Sequence, residues 1–126
     1  MPYKINWVKS GVVIHFTGHV NDKTLTSMAA CLQGDPRFDE LRYIVADYSC
    51  CTKFSVTQEN LEYVIATSAA SALSNNKIRV AIISATPEIV TAADRFITSP
   101  LTVFPFRTFQ KLEAAYKWLG IQNLSY

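Results

Sequence analysis

Glycine and proline are sparse in this chain, four and five of 126 residues, and no low-complexity run occurs. That excludes a disordered or fibrous chain. Long apolar runs are missing too. The longest charge-free stretch lies between Glu62 and Lys77, and Ser and Thr interrupt it. It falls short of the roughly 20 apolar residues a spanning helix needs, so no membrane span is expected. The opening residues MPYKINWVKSG hold no apolar signal core, and none is expected to be read as one. No excess of one charge builds up: twelve Lys and Arg face ten Asp and Glu, scattered singly for a net charge of +2. A surface that tracks nucleic-acid phosphates is therefore not expected. Cysteine is scarce and odd in number, with Cys31 apart and Cys50 and Cys51 adjacent. This is a poor disulfide framework and reads as free thiols in a reducing cytoplasm. His15 and His19 have no metal-ligand spacing to these cysteines, so neither a metal nor a cofactor is expected.

What is present is apolar: 49% hydrophobic residues against 17% charged. At this length about two thirds of the unfolded surface can be buried, enough for one core and one domain over residues 1–126. Residues 3–9 alternate, Lys9-Ser10-Gly11 turns the chain, and Val12–Thr17 reads as the second arm of a hairpin. Asn21 or Asp22 can cap a helix with Leu25, Met28, Ala29 and Leu32 on one face, and Gly34 is placed for a left-handed end. Arg42–Asp47 reads as a central strand, followed by a loop over 48–54. Ser55 with Gln58 forms a capping box for an alanine-rich helix over 55–73. Ile78–Ser84 is a further buried strand. Thr86-Pro87-Glu88 starts a helix whose inner stripe is Val90, Ala93, Phe96 and Ile97. Leu101–Phe106 reads as the last strand. Thr108 caps a last helix, with Phe109, Leu112, Ala115, Tyr116 and Leu119 inward and Gly120 closing it. The order β-β-α-β-α-β-α-β-α implies an α/β fold, with a five-stranded mixed sheet and four helices.

Several segments in this order resemble the STAS or SpoIIAA-like superfamily, and more narrowly uncharacterised bacterial SpoIIAA-like proteins related to CRAL-TRIO domains. They are Gly11–Gly18, Asp35-Pro36-Arg37-Phe38, Ile44–Asp47, Arg79–Ile83, Phe106–Phe109 and Ala114–Leu119. The resemblance implies a non-enzymatic domain. Its best-known members antagonise anti-sigma factors and are switched by phosphorylation of a serine that starts the helix after the third strand. The matching stretch here, Phe54-Ser55-Val56-Thr57, lacks the family's Asp-Ser pair and its glycine. Ser55 and Thr57 are the hydroxyls available for such a modification.

Ligands of open parallel sheets gather beyond the carboxyl ends of the strands. His19, Asp47, Tyr48, Ser49, Ser84 and Arg107 fall there and form a candidate binding rim. Asp47 has a second reading, as acceptor for backbone N–H groups just after it. A Ser84–His19–Asp47 hydrolase can be drawn, but no G-x-S-x-G turn supports it, and no phosphate-binding glycine motif occurs. Cys50 and Cys51 precede a helix start, where a lowered thiol pKa is conceivable. The sequence thus points to a cytoplasmic regulatory or interaction module, working through a protein partner and as a homodimer. The alternative is a carrier of a small hydrophobic or lipid-like ligand. A closed apolar cavity favours the carrier, and a flat apolar patch favours the interaction module. A joined His19–Asp47 pair would favour catalysis.

Overall fold

The computed structural model describes residues 2–121. Five strands and four helices alternate along the chain: β1 (Tyr3–Val8), β2 (Gly11–Asn21), α1 (Asp22–Gln33), β3 (Tyr43–Ser55), α2 (Gln58–Ser71), β4 (Arg79–Ile83), α3 (Pro87–Thr98), β5 (Phe106–Phe109) and α4 (Leu112–Leu119). A short 3-10 helix, Pro36–Glu40, leads into β3. The strands form one mixed sheet in the order β1-β2-β3-β4-β5. β1 is antiparallel to β2, and every other pairing is parallel. This is the α/β order expected from the sequence.

Each crossover from β2 to β5 steps to the next strand in the same direction. Crossovers of one hand then all land on one face of the sheet. The core follows that rule. Val12, Ile14 and Phe16 of β2, Ile44 and Ala46 of β3, and Val80 and Ile82 of β4 pack under α1, α2 and α3. Their strand neighbours Val13, Tyr43, Val45, Ala81 and Ile83 face Ala115 and Leu119 of α4. Both faces are covered, which is why these strands read as continuous apolar runs. Arg79 ties α4 down, donating from both terminal nitrogens to the carbonyls of Trp118 and Leu119 at 2.7 Å. The cation meets the negative end of the helix dipole.

Gly11 serves a close approach. A Cβ built there would lie 2.1 to 2.5 Å from the ring carbons of Tyr43, its partner in the parallel register. The tyrosine ring covers the space that a side chain would fill. The tight turn before it is held by Ser10 in the left-handed region, at φ 62°.

The structure corrects several boundaries. β3 does not stop at Asp47 but continues to Ser55 through the predicted loop, because β2 extends alongside it to Asn21. Two register shifts, between His15 and Thr17 and between Gly18 and His19, give β3 an extra residue each time. Such bulges re-aim side chains. They bring Tyr48, Cys51 and Phe54, spaced by three, onto the same face. Ser55 is consequently a strand residue in register with Asn21, and Thr57 caps α2, its hydroxyl oxygen accepting from the Asn60 N–H at 3.1 Å. Gly34 ends α1 in a right-handed conformation, φ −83°, whereas Gly120 adopts the expected left-handed one. On α3 the inward stripe holds Ala93 and Phe96 as expected, but Ile89 stands in it in place of Val90, and Ile97 falls outside it. Ile89 and Ala93 are buried, while Val90 and Ile97 are exposed. The last strand is Phe106–Phe109 rather than Leu101–Phe106. Pro105 has no N–H to donate, although its carbonyl accepts from Val80. Thr108 and Phe109 therefore lie in a strand, and α4 begins three residues after Phe109, with Lys111 as its cap.

Candidate functional site

The rim residues expected from the sequence are spread over the sheet. Asp47 and Arg107 register with Ile83 and Ala81, on the α4 side. Tyr48 packs on the opposite side. Arg107 is exposed, its guanidinium 5.5 Å from the Phe109 ring centre. Ser84 is buried, and its hydroxyl accepts from the Thr86 N–H at 3.0 Å. His19 pairs through Nε2 with the hydroxyl of Ser55, not with Asp47. Asp47 accepts from the Ser49 N–H at 2.9 Å, the local role open to it from the sequence. Its other oxygen lies 3.3 Å from Nδ1 of His15. That pair was missed because it depends on strand register, which puts His15 directly opposite Asp47.

A second polar cluster ties α1 to α2. Asp22 accepts from the Thr57 N–H at 2.7 Å and from the Thr57 hydroxyl at 2.8 Å. The Asn60 amide donates to the Asp22 carbonyl, and its oxygen accepts from Thr26. Thr57 is thereby fully engaged by a carboxylate, while Ser55 sits beside an imidazole.

The most distinct feature is hollow. α1 and α2 pack on one another and α3 packs beside β5. Between these helices and the sheet lies a pocket of about 110 Å³, about half open to the surface. Its floor is Ile14, Ile44, Ala46, Val80 and Ile82. Leu25, Met28 and Leu32 of α1, Leu61 and Val64 of α2, and Ile89, Ala92, Ala93 and Phe96 of α3 form its walls. Among the described residues that line it none is charged, and the polar ones are Gln33, Tyr48, Ser68 and Ser71. Full packing of these helices on the sheet would leave no such space, because close packing maximises dispersion contacts. Small side chains explain this one: Ala29, Ala46, Ala92 and Ala93 face the space where bulkier residues would close it.

Tyr48 is half-buried on the sheet side of this pocket. Its ring stacks flat on Phe16, centroids 4.2 Å apart, and meets Phe54 edge-on at 6.0 Å. Burial, and secondarily the nearby Cys51 thiol, raise its phenol pKa. No described residue hydrogen-bonds its hydroxyl. Burial also pushes the Cys51 thiol up, partly opposed by the backbone of Lys53 and Val20. This corrects the lowered pKa considered for that cysteine, since a raised thiol is a weaker nucleophile. A second pocket, of about 240 Å³, opens at the carboxyl ends of β3 and β4. Lys53 and Glu88 both line it, so it selects neither sign of charge.

Among the described residues no helix is long and apolar enough to cross a membrane, and no cluster of His, Cys, Asp and Glu is suited to a metal. No family model and no curated protein matches the chain. Solved structures do. The anti-sigma factor antagonist SpoIIAA in its unphosphorylated form superposes with a TM-score of 0.60 at 11% identity, over 94% of this chain and 99% of that one. The phosphorylated form of SpoIIAA, the Bacillus cell fate determinant, gives 0.60 at 11% identity, over 92% and 98%. An uncharacterised Shewanella loihica protein of the DUF3478 family gives 0.59 at 14% identity, over 93% and 91%. The chain has the SpoIIAA-like fold.

Proposed function

We propose that this chain is a non-catalytic binding module that takes a small apolar molecule into the cavity beneath α1, α2 and α3. One observation carries the reading: an uncharged, largely apolar pocket of about 110 Å³, about half open, between the sheet and α1, α2 and α3. An apolar pocket of this kind offers water few partners and gains contacts when an apolar guest fills it. The volume is below the roughly 150 Å³ that accommodates benzene in an engineered protein cavity, so the guest is compact rather than a lipid with long chains. A hydrolase is not supported, since Ser84, His19 and Asp47 have separate partners.

A second reading rests on the segment beside the cavity. Ile97, Leu101 and Val103 are exposed, the last two at 55%, next to the cavity-lining Phe96 and Phe104. An apolar strip of this kind suits a protein partner or a second copy of the chain. SpoIIAA, which shares the fold, is an anti-sigma factor antagonist.

Native mass spectrometry of the cytoplasmic protein from its own host, followed by a denaturing spectrum, separates the readings. The expected result is extra mass that is released on denaturation. A chain at its bare mass in both spectra refutes the ligand reading, and a bare dimer favours the interaction reading.

A further inference from the structure

α2 walls the pocket with one side only, and we propose that its outer side pairs two copies of this chain, α2 packing antiparallel on α2 of the second copy. Leu61, Val64 and Ile65 turn inward, and Asn60 is bonded to Asp22 and Thr26 of α1. The opposite side carries Tyr63, Ala66, Ala70 and Leu73, all exposed. Tyr63 is 58% exposed and Leu73 is 93% exposed, the highest value for a large hydrophobic among the described residues. The Leu73 and Ser74 N–H groups donate to the carbonyls of Ala70 and Ser71, so the winding continues past the helix end.

Spacing selects the occupant. A two-fold interface uses the same patch on both copies, so an antiparallel helix face must read alike in both directions. Tyr63 and Leu73 lie five residues either side of Ser68, and Ala66 and Ala70 lie two. Pairing centred there sets each Tyr63 against Leu73 of the second copy, with the alanines crossing between them. Small side chains at a crossing let helix axes approach to about 8 Å, the near end of the usual range.

Charge agrees with this register. Glu59 and Lys77 are exposed, lie nine residues either side of Ser68, and have no ion-pair partner among the described residues. Antiparallel pairing brings each Glu59 towards Lys77 of the second copy, whereas parallel pairing would bring Glu59 to Glu59. The loop that carries Lys77 is fixed. The Asn75 amide donates to the carbonyls of Phe38 and Leu41 at 2.9 Å, and its oxygen accepts from the Lys77 N–H at 3.0 Å. One helix pair falls below the roughly 1,200 Å² of stable interfaces, so the association is weak and reversible.

Sedimentation equilibrium of the full chain at low salt tests this, with urea unfolding to confirm that each variant is folded. The native chain is expected to dimerise. Glu59→Lys or Lys77→Glu alone sets like charges together twice per dimer and should weaken it about fivefold. An equimolar mixture of these two variants restores both opposite pairs, and should associate to within about twofold of the native chain. Misfolding cannot produce that recovery. Leu73→Glu should weaken the dimer by about tenfold or more, and Leu101→Glu, on the strip after α3, should leave it intact. A native chain that stays monomeric up to about 1 mM overturns the proposal. So does a dimer that survives Leu73→Glu, one lost in Leu101→Glu, or a mixture no tighter than its two components.

Discussion

If the cavity is open volume, a larger side chain directed into it should stabilise the protein while excluding any guest. Ala93 is the place to ask. It lies on the inward face of α3, is 4% exposed and lines the cavity. Residual core cavities destabilise by about 24 cal/mol per Å³, so roughly 2.6 kcal/mol is an upper bound for a partly open volume of about 110 Å³. Leucine adds three carbons, with a ceiling of about 2.4 kcal/mol at ~0.8 kcal/mol per buried CH₂. Ordering the side chain costs about 0.5–1 kcal/mol, and imperfect fit takes more. The expected net gain for Ala93→Leu is about 1 kcal/mol, or a rise in Tm of roughly 3–5 °C for a chain of this length. Urea unfolding measures it. Mass spectrometry of the same variant should no longer find extra mass. A loss of more than about 1 kcal/mol, the ordinary result of overpacking, would mean that the volume is not available and would refute the reasoning.

Two further tests address the neighbouring chemistry. The Tyr48 phenol has its pKa raised on folding by burial, so its contribution to stability is complete below the ordinary value near 10. Above pH 10 the unfolded chain loses this proton first, and stability falls by about 1.4 kcal/mol per pH unit. Tyr43 is raised by burial as well, so Tyr48→Phe should reduce the alkaline slope rather than remove it. Identical urea midpoints at pH 9 and 11 for the variant and its parent, relative to each other, would contradict this. The hydroxyls at the start of α2 face opposite electrostatics: Asp22 holds Thr57, and His19 meets Ser55. Thr57→Glu should cost about 1–3 kcal/mol through a lost cap and repulsion from Asp22, and Ser55→Glu less than about 0.5 kcal/mol. Equal costs in urea would refute the contrast, which makes Ser55 the better placed of the two for a phosphate.

The element order was legible because both faces of β2, β3 and β4 are covered, and continuous apolar runs between helical stripes leave few other arrangements. Errors arose where pairing overrides local propensity. Nothing in Tyr48–Phe54 reads as a strand until β2 is seen running beside it, since hydrogen bonds to a neighbour hold extended even a stretch with two bulges. On α3, Ala93 and Phe96 face inward as their spacing predicts, but Ile89 stands in place of Val90, because the two are equally apolar and only packing against the sheet chooses Ile89. Leu101 and Val103 read as strand by composition, yet Pro105 defers pairing until Phe106. The rim residues followed from a sound rule about strand ends, but alternation sends Asp47 and Tyr48 to opposite faces.

The cavity was the least legible feature, for a reason that also bears on what the fold can say about function. Its existence depends on a shortfall of volume among four alanines drawn from three separate elements, together with the rings around them. No short window of sequence contains that sum. Nor does backbone similarity: at 11–14% identity a shared sheet order constrains where the strands and helices run, while most of the side chains beneath α1, α2 and α3 are free to differ. The same scaffold can therefore be solid in one chain and hollow in another without any change of topology. The SpoIIAA-like fold places Tyr48, Ala46 and Ala93 around one point, and the residues themselves decide that the point is roomy, uncharged and largely apolar. Those properties belong to this sequence, so measurements on this chain with small neutral guests bear on its function more directly than any property of the scaffold.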